Sequence, residues 1–237
     1  MTKKGTLYLI PTTLGENSDI NHVMPAYVKE VVNTIDEYIV ENEKSARHFL
    51  KKLGILKPLP EIRLYPLNKY TSQQALSTYL NTALTGKNMG VISEAGCPGI
   101  ADPGAEIVMM AHEKGIRIVP LVGPSSILLA LMASGLNGQN FAFNGYLPID
   151  RHEKVKKIKD LETLSRQKKQ TQLFIETPYR NQKLLTEILS TCNSNTLLCI
   201  ATDITLPSEQ IATKTIESWK KKLPDINKRP AIFLIQG

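Results

Sequence analysis

Short apolar runs alternate with helical periodicity through the first half of the chain, and that alternation limits the fold more than any other feature. Thr6–Ile10 (TLYLI), Glu37–Val40 (EYIV), Ile62–Leu67 (IRLYPL), Met89–Ser93 (MGVIS) and Ile116–Val122 (IRIVPLV) each read as a strand. The stretches between them carry apolar residues every three or four positions, the period of a helix with one buried face. In EKSARHFLKKLG, Ala46, Phe49, Leu50 and Leu53 share a face and Gly54 marks the stop. A helix is also expected around Tyr27–Ile35. A single helix is expected over Thr71–Gly86, capped by Thr71 or Ser72. Parallel strands need a crossover of a dozen or more residues, usually a helix, so this pattern predicts βαβ units in an open parallel α/β sheet.

The second half has a different rhythm. FAFNGY, TQLFIE, TLLCIAT, EQIATKT and AIFLIQ are strand candidates, but fewer helices separate them. Asp203–Gln210 (DITLPSEQ) is too short for a crossover, so the strands around it are expected to form a hairpin. The expectation is therefore an α/β protein of two α/β domains, an N-terminal open parallel sheet over residues 1–120 and a C-terminal mixed sheet over 121–237. A chain of 237 residues can fill two modest cores.

Composition narrows the chemistry. Cys97, Cys192 and Cys199 are odd in number and lack CxxC spacing, which predicts a reducing, cytoplasmic setting and no zinc site. His22, His48, His112 and His152 are scattered, giving no local histidine cluster, so no metal is expected. No segment approaches the roughly 18 apolar residues of a membrane span, and the short run after Lys3 and Lys4 is too brief for a signal peptide. The formal net charge is +7, and much of it lies between Arg151 and Gln170, where eight basic residues face three acidic ones. Such a patch suits a polyanion through counterion release, or it is a helix face kept soluble by lysines.

Ligands of open parallel sheets bind outside the carboxyl ends of the strands. Three loops marked by glycine and proline occupy that position: Pro11–Gly15 (PTTLG), Ser93–Gly104 (SEAGCPGIADPG) and Gly123–Ser126 (GPSS). Asp102-Pro103 reads as a helix start, an acceptor cap followed by proline at the first helical position. Capping does not account for Gly96, Cys97, Pro98 and Gly99, whose small side chains suggest a wall of main-chain amides and carbonyls facing a ligand. The common alternatives are missing: no GxGxxG follows the first strand, and no GxxxxGK[ST] or GxSxG occurs. Cys97 has no neighbour in sequence to lower its pKa and reads as a small loop residue.

Taken together, GTLYLIPTTLG, RHFLKKLGI, VISEAGCPGIADPGAEIV, GIRIVPLVGPSSILLALMASGL, FAFNGYLP, FIETPYR and the closing IFLIQG resemble the tetrapyrrole (corrin/porphyrin) methylase superfamily of S-adenosylmethionine-dependent enzymes. Within it the chain is most similar to the ribosomal RNA small-subunit methyltransferase I family, which methylates a cytidine ribose 2′-OH. The resemblance implies S-adenosylmethionine as cofactor, S-adenosylhomocysteine as product, no metal, a site between two domains and a homodimer. It implies cofactor contacts from Pro11, Glu94, Ala95, Gly96, Ile100, Ser125, Ser126, Glu176, Pro230 and Ala231.

The departures from the family fall on the acceptor side. Glu94 stands where the family usually has Asp, VENEKSAR replaces a Glu-Asp-Thr-Arg stretch with only Glu41 matching in type, and ATDITLPSEQ replaces an Arg-Glu-Leu-Thr-Lys run. Many members also continue into a small helical RNA-binding segment, whereas this chain stops at Gly237. Lys69, Glu176 and Arg180, with Glu41, are the candidates for assisting the acceptor, against the readings that Arg180 pairs with Glu176 and Lys69 is solvated. Three functions remain open on the residues: methylation of a ribose in ribosomal RNA or the small ribosomal subunit, methylation of a tetrapyrrole or other small acceptor, and a non-catalytic donor-binding module.

Overall fold

The computed structural model describes residues 3–237, and the chain divides into two compact units, Met1–Ser125 and Ser126–Gly237. Unit 1 runs β1 (Thr6–Ile10), α1 (Ile20–Val23), α2 (Ala26–Val32), β2 (Glu37–Val40), α3 (Glu43–Leu53), β3 (Arg63–Pro66), α4 (Gln73–Leu76), α5 (Asn81–Leu84), β4 (Met89–Ile92), α6 (Gly104–Glu113) and β5 (Arg117–Pro120). Its strands lie in the order β3-β2-β4-β1-β5 and every pairing is parallel. Successive residues of a strand face opposite sides, so each strand feeds two cores. Tyr38 and Val40 pack with Val28, Val31, Phe49 and Leu50 of α2 and α3. Ile39, Met89 and Val91 pack with Leu76, Leu80, Ala83, Ile107 and Ala111 on the other face.

At the centre of the sheet Gly90 of β4 lies between Tyr8 of β1 and Tyr38 of β2. A Cβ there would stand 2.6 Å from the Tyr38 ring, which is fully buried and donates its hydroxyl to Val32 O at 2.8 Å. Burial raises the Tyr38 phenol well above its ordinary value. The expected single helix over Thr71–Gly86 is two short ones. Ser72 does cap the first, with its hydroxyl accepting from Ala75 N, and Gly86 follows the second with φ +100. Between them the Ser77 and Thr78 hydroxyls donate to Gln74 O and Ala75 O at 2.7 Å, and the main chain adopts i→i−3 bonds from Thr78, Tyr79 and Asn81. Side-chain hydroxyls competing for helix carbonyls tighten that turn and end the α-helical run.

Unit 2 runs α7 (Ser126–Ser134), β6 (Phe141–Tyr146), α8 (Arg151–Lys168), β7 (Thr171–Ile175), α9 (Asn181–Thr191), β8 (Leu197–Thr202), β9 (Gln210–Thr215), α10 (Ile216–Lys221) and β10 (Ala231–Gln236). The order is β6-β7-β10-β8-β9. The β6–β7 pairing is parallel and the others are antiparallel, with β8 and β9 the expected hairpin. The core joins α8, α9 and α10 to one sheet face. Phe174 stacks on Phe233 at 6.0 Å, and Trp219 donates its indole N–H to Leu198 O at 2.8 Å. Cys192 and Cys199 are free and buried; burial, reinforced by nearby Glu162, pushes the Cys192 thiol up to about 12. Among the described residues no helix is long and apolar enough to cross a membrane.

Candidate functional site

β1 and β4 are neighbours at the middle of the first sheet, and the chain leaves them in opposite directions, from β1 toward β2 and from β4 toward β5. Such a reversal opens a crevice at the carboxyl ends of the strands. The loops expected from sequence meet there. Thr12 donates its N–H to Gly96 O at 2.9 Å and its hydroxyl to Ser93 O at 3.4 Å; the Ser93 hydroxyl also reaches Gly96 O. The third loop joins them through Cys97 Sγ, 3.5 Å from Pro124 O.

The glycines where these loops meet are closely packed. Gly96 (φ +72) would carry a Cβ 3.2 Å from Leu14 Cδ2 and 3.3 Å from Pro124 O, and a Cβ on Gly123 would lie 2.3 Å from Pro11 Cγ. At both positions loop packs on loop closely enough to leave no room for a side chain. Gly99 (φ +83) is less crowded, with Ala105 N, at 4.0 Å, the nearest atom to an added Cβ. The helix starts one residue later than expected: Pro103 takes the cap position of α6 and Gly104 is its first residue, while Asp102, just before the cap, accepts from Gly104 N at 2.7 Å. Its two carboxylate oxygens also accept from Gly99 N at 2.9 Å, which pins the loop back on the helix start.

Beside these loops is a cavity of about 470 Å³, lined by Thr12 to Glu16 from the first loop, Ile92 to Glu94 from the second, and Asn42, Ser45, His48, Phe49 and Lys52 around α3. Asn42 caps α3 by accepting from Lys44 N and Ser45 N, which sets the first turn of the helix at the end of β2. Lys52 holds the first loop by donating to Glu16 O at 2.6 Å and Ser18 O at 2.7 Å. Glu94 accepts from the Ser45 hydroxyl, and its N–H donates to Glu41 Oε1 at 3.0 Å. Glu41, Glu94 and Asp102 therefore bring negative charge to one place. Burial raises the Glu41 pKa; the Glu94 N–H opposes that shift and the Asp102 and Glu94 charges add to it. Partial burial also raises the Cys97 thiol, leaving no ready thiolate nucleophile.

The Glu41 shift has a testable sign. A raised carboxyl pKa means that the folded state holds the proton more tightly, so the contribution to stability is complete below the ordinary value of 4.5 and fades as pH rises through the folded value. Glu41→Gln keeps an oxygen to accept from Glu94 N–H without the charge. It is expected to melt above the parent protein at pH 7, with the difference closing by pH 4, in paired thermal scans; an opposite pH trend would contradict the assignment.

Of the other residues expected from sequence, Pro11 is buried, Ala95 and Ile100 are exposed, Ser125 ends unit 1 and Ser126 opens α7. Lys69 does not line the cavity; it is exposed, with Nζ 4.9 Å over the Tyr70 ring. In unit 2, Glu176 and Pro230-Ala231 adjoin one another, because Ile175 pairs with Ile232 at the shared end of β7 and β10. The turn after β7 is tied to the same end by Lys228 N donating to Pro178 O at 3.0 Å. Arg180 pairs with Glu176, Nε at 3.0 Å and an outer nitrogen at 2.7 Å from Oε1, as the pairing read from the sequence has it.

Two groups were missed. Thr12, Ser45 and Lys52 line the cavity, and the available signal was Asn42, a cap directly after a strand. Behind Glu176 sits Lys154, 3% exposed, with Nζ 3.3 Å from Glu187 Oε2 and 3.8 Å from Glu176 Oε2. Its spacing to Ile158, Leu161 and Ser165 places it on the inward face of α8, a pattern hidden among seven other basic residues. Among the described residues no group of three or more His, Cys, Asp or Glu is placed to hold a metal ion.

Comparison with known proteins gives the following. The profile of the family described as Tetrapyrrole (Corrin/Porphyrin) Methylases matches residues 15–219. A ribosomal RNA small subunit methyltransferase I of Escherichia coli O157:H7 is 29% identical over 237 residues, covering 99% of this chain and 78% of the relative. One from Buchnera aphidicola subsp. Schizaphis graminum is 30% identical, covering 99% and 79%. Among solved structures, the methyltransferase CobJ superposes with a TM-score of 0.64 at 16% identity, covering 98% of this chain and 94% of that one. A cobalt precorrin-4 methyltransferase gives 0.62 at 17%, covering 98% and 94%. At such identities the two structures speak for the fold.

Proposed function

The chain belongs to the tetrapyrrole (corrin/porphyrin) methylases, and on that premise we propose that it is an S-adenosylmethionine-dependent methyltransferase that methylates a ribose 2′-OH in small-subunit ribosomal RNA. One observation carries the choice of acceptor. The relatives named for that RNA match across 98–99% of this chain, through both units rather than through the donor-binding loops alone.

The residues present suit the donor. A cavity of about 470 Å³ lies within the range of roughly 300–1,000 Å³ typical of small-molecule sites. Of the residues expected to hold the donor, Glu94 lines this cavity, with Glu41 bonded behind it through the Glu94 N–H, and a carboxylate there suits a sulfonium or an ammonium. Pro11, Ala95, Gly96, Ile100, Ser125 and Ser126 are not part of its lining and keep their assignment from the family. Glu176, Pro230 and Ala231, adjoining one another in unit 2, carry the same assignment. When bound, the donor supplies an electrophilic methyl for in-line displacement, a reaction in which alignment and exclusion of water contribute much of the rate. The side chains around the cavity orient and desolvate; no covalent enzyme intermediate is required. We further assign the protein to the cytoplasm and to a homodimeric state, both following from the family.

The test is methyl transfer from tritiated donor to small-subunit RNA and to assembled small subunits, with 2′-O-methylation mapped in cells with and without the gene. The expected result is one ribose methylation that disappears with the gene. Label that persists on RNA with its ribose 2′-oxygens blocked, or label that enters a porphyrinoid and not RNA, would overturn the acceptor.

A further inference from the structure

The outward face of α8 carries charge that the site described above does not use. Arg151, Lys156, Lys157, Lys159, Arg166, Lys168 and Lys169 are all exposed, and among the described residues none of them closes an ion pair. Glu153–Lys157 and Lys156–Asp160 have the i,i+4 spacing that could neutralise them, yet neither pair forms, and Glu162 is turned inward. We infer that this face docks the sugar–phosphate backbone of RNA, an inference that rests on ribosomal RNA being the acceptor.

Geometry supports a backbone rather than a base reader. Lys156, Lys159 and Arg166 fall at i, i+3 and i+10, along one stripe with Thr163. At 1.5 Å per residue that stripe is about 15 Å long, enough for its three cations to meet successive phosphates of one strand. No Phe, Tyr or Trp lies in α8, and its cations are mostly lysines, which suit phosphates; phosphate contacts set position without reading sequence.

The stripe is also held in place before any partner arrives. Asp150 caps the helix by accepting from His152 N and Glu153 N. Glu162 accepts from Asn193 N at 2.7 Å and from the Thr196 hydroxyl. At the far end Asn140 and Asn137 donate to Lys168 O and Lys169 O. The helix that carries the cations therefore loses little backbone freedom on docking.

The experiment replaces Lys156, Lys159 and Arg166 with glutamine together, and compares that variant with Lys51→Gln/Lys87→Gln/Arg117→Gln, three exposed cations of unit 1. Each protein is titrated with a small-subunit RNA fragment across a salt series, and with the donor by calorimetry. The parent's plot of log affinity against log salt should be steep. In the α8 variant its slope should fall by about 2 to 3, since each released phosphate contact contributes about 0.7 to 0.9. Affinity at physiological salt should drop at least ~10-fold while donor binding is unchanged. Unaltered RNA binding by the α8 variant, with the unit 1 variant weakened instead, overturns the docking surface and leaves the acceptor standing. Absence of salt-dependent RNA binding by the parent overturns both. Loss of binding to anionic lipid vesicles, with RNA binding intact, also overturns the inference, since the face would then serve a membrane.

Discussion

Lys154→Met is expected to lower the stability of the protein by about 3–5 kcal/mol, because it strands the buried Glu187 carboxylate and leaves Glu176 with Arg180 alone as its cation. Lys154, Glu176 and Glu187 are 3%, 5% and 6% exposed, and the lysine ammonium is the cation between the two acids. Arg180 satisfies Oε1 of Glu176, but Glu176 Oε2 and both oxygens of Glu187 have no hydrogen-bond partner among the described residues. The Lys154 ammonium is therefore the nearest compensating group for those oxygens. Urea denaturation at pH 7 measures the loss. The double variant Lys154→Met/Glu187→Gln should recover a large part of it, since one stranded charge is removed, and the gap between single and double variants reports the coupling directly. A loss under about 1 kcal/mol in the single variant would mean that water reaches the cluster and does the neutralising.

Gly123→Ala should damage the site more than the fold. Its Cβ would stand 2.3 Å from Pro11 Cγ and 2.4 Å from Pro11 Cβ, and the proline ring has no rotamer to escape into. Overpacking of this kind costs about 1–3 kcal/mol. The relief available is a shift of the first loop, and that loop supplies Thr12 to Glu16 to the cavity and is tied to Gly96 O through Thr12 N. A displacement near 1 Å can cost about 100-fold in rate, so donor affinity and methyl transfer together should fall by about 10- to 100-fold, with the melting temperature only a few degrees lower. Gly135→Ala serves as the control: its added Cβ meets nothing within 4 Å, although its φ of +69 carries a small backbone penalty. Equal effects of the two substitutions on donor binding would refute loop packing as the cause.

Much of this protein was legible as text, for reasons that differ from element to element. The strands were, because a buried parallel strand is a short run of apolar residues and Val91, Ile92 or Ile200 have nowhere else to go. Ser72 and Gly54 announced their helix ends through a side-chain oxygen and a left-handed φ, which are local chemistry. The Thr71–Gly86 helix misled because its periodicity is sound for both halves, while the break depends on hydroxyls choosing carbonyls three residues back. The meeting of the three loops was foreseeable from strand order, but its tightness was not: that Gly96 faces Leu14, or Gly123 faces Pro11, depends on atoms far apart in the chain.

Local sequence alone determined the α/β class, the parallel first sheet, the β8–β9 hairpin and the family, since periodicity, connection length and motif order are properties of neighbouring residues. Tertiary structure alone decided which lysine of α8 turns inward, how closely the loop glycines are packed, and that Ser45 and Lys52 line the same cavity as Glu94. Those outcomes are set by distances between residues separated by dozens of positions, and a side chain's charge or size does not reveal what will be folded against it.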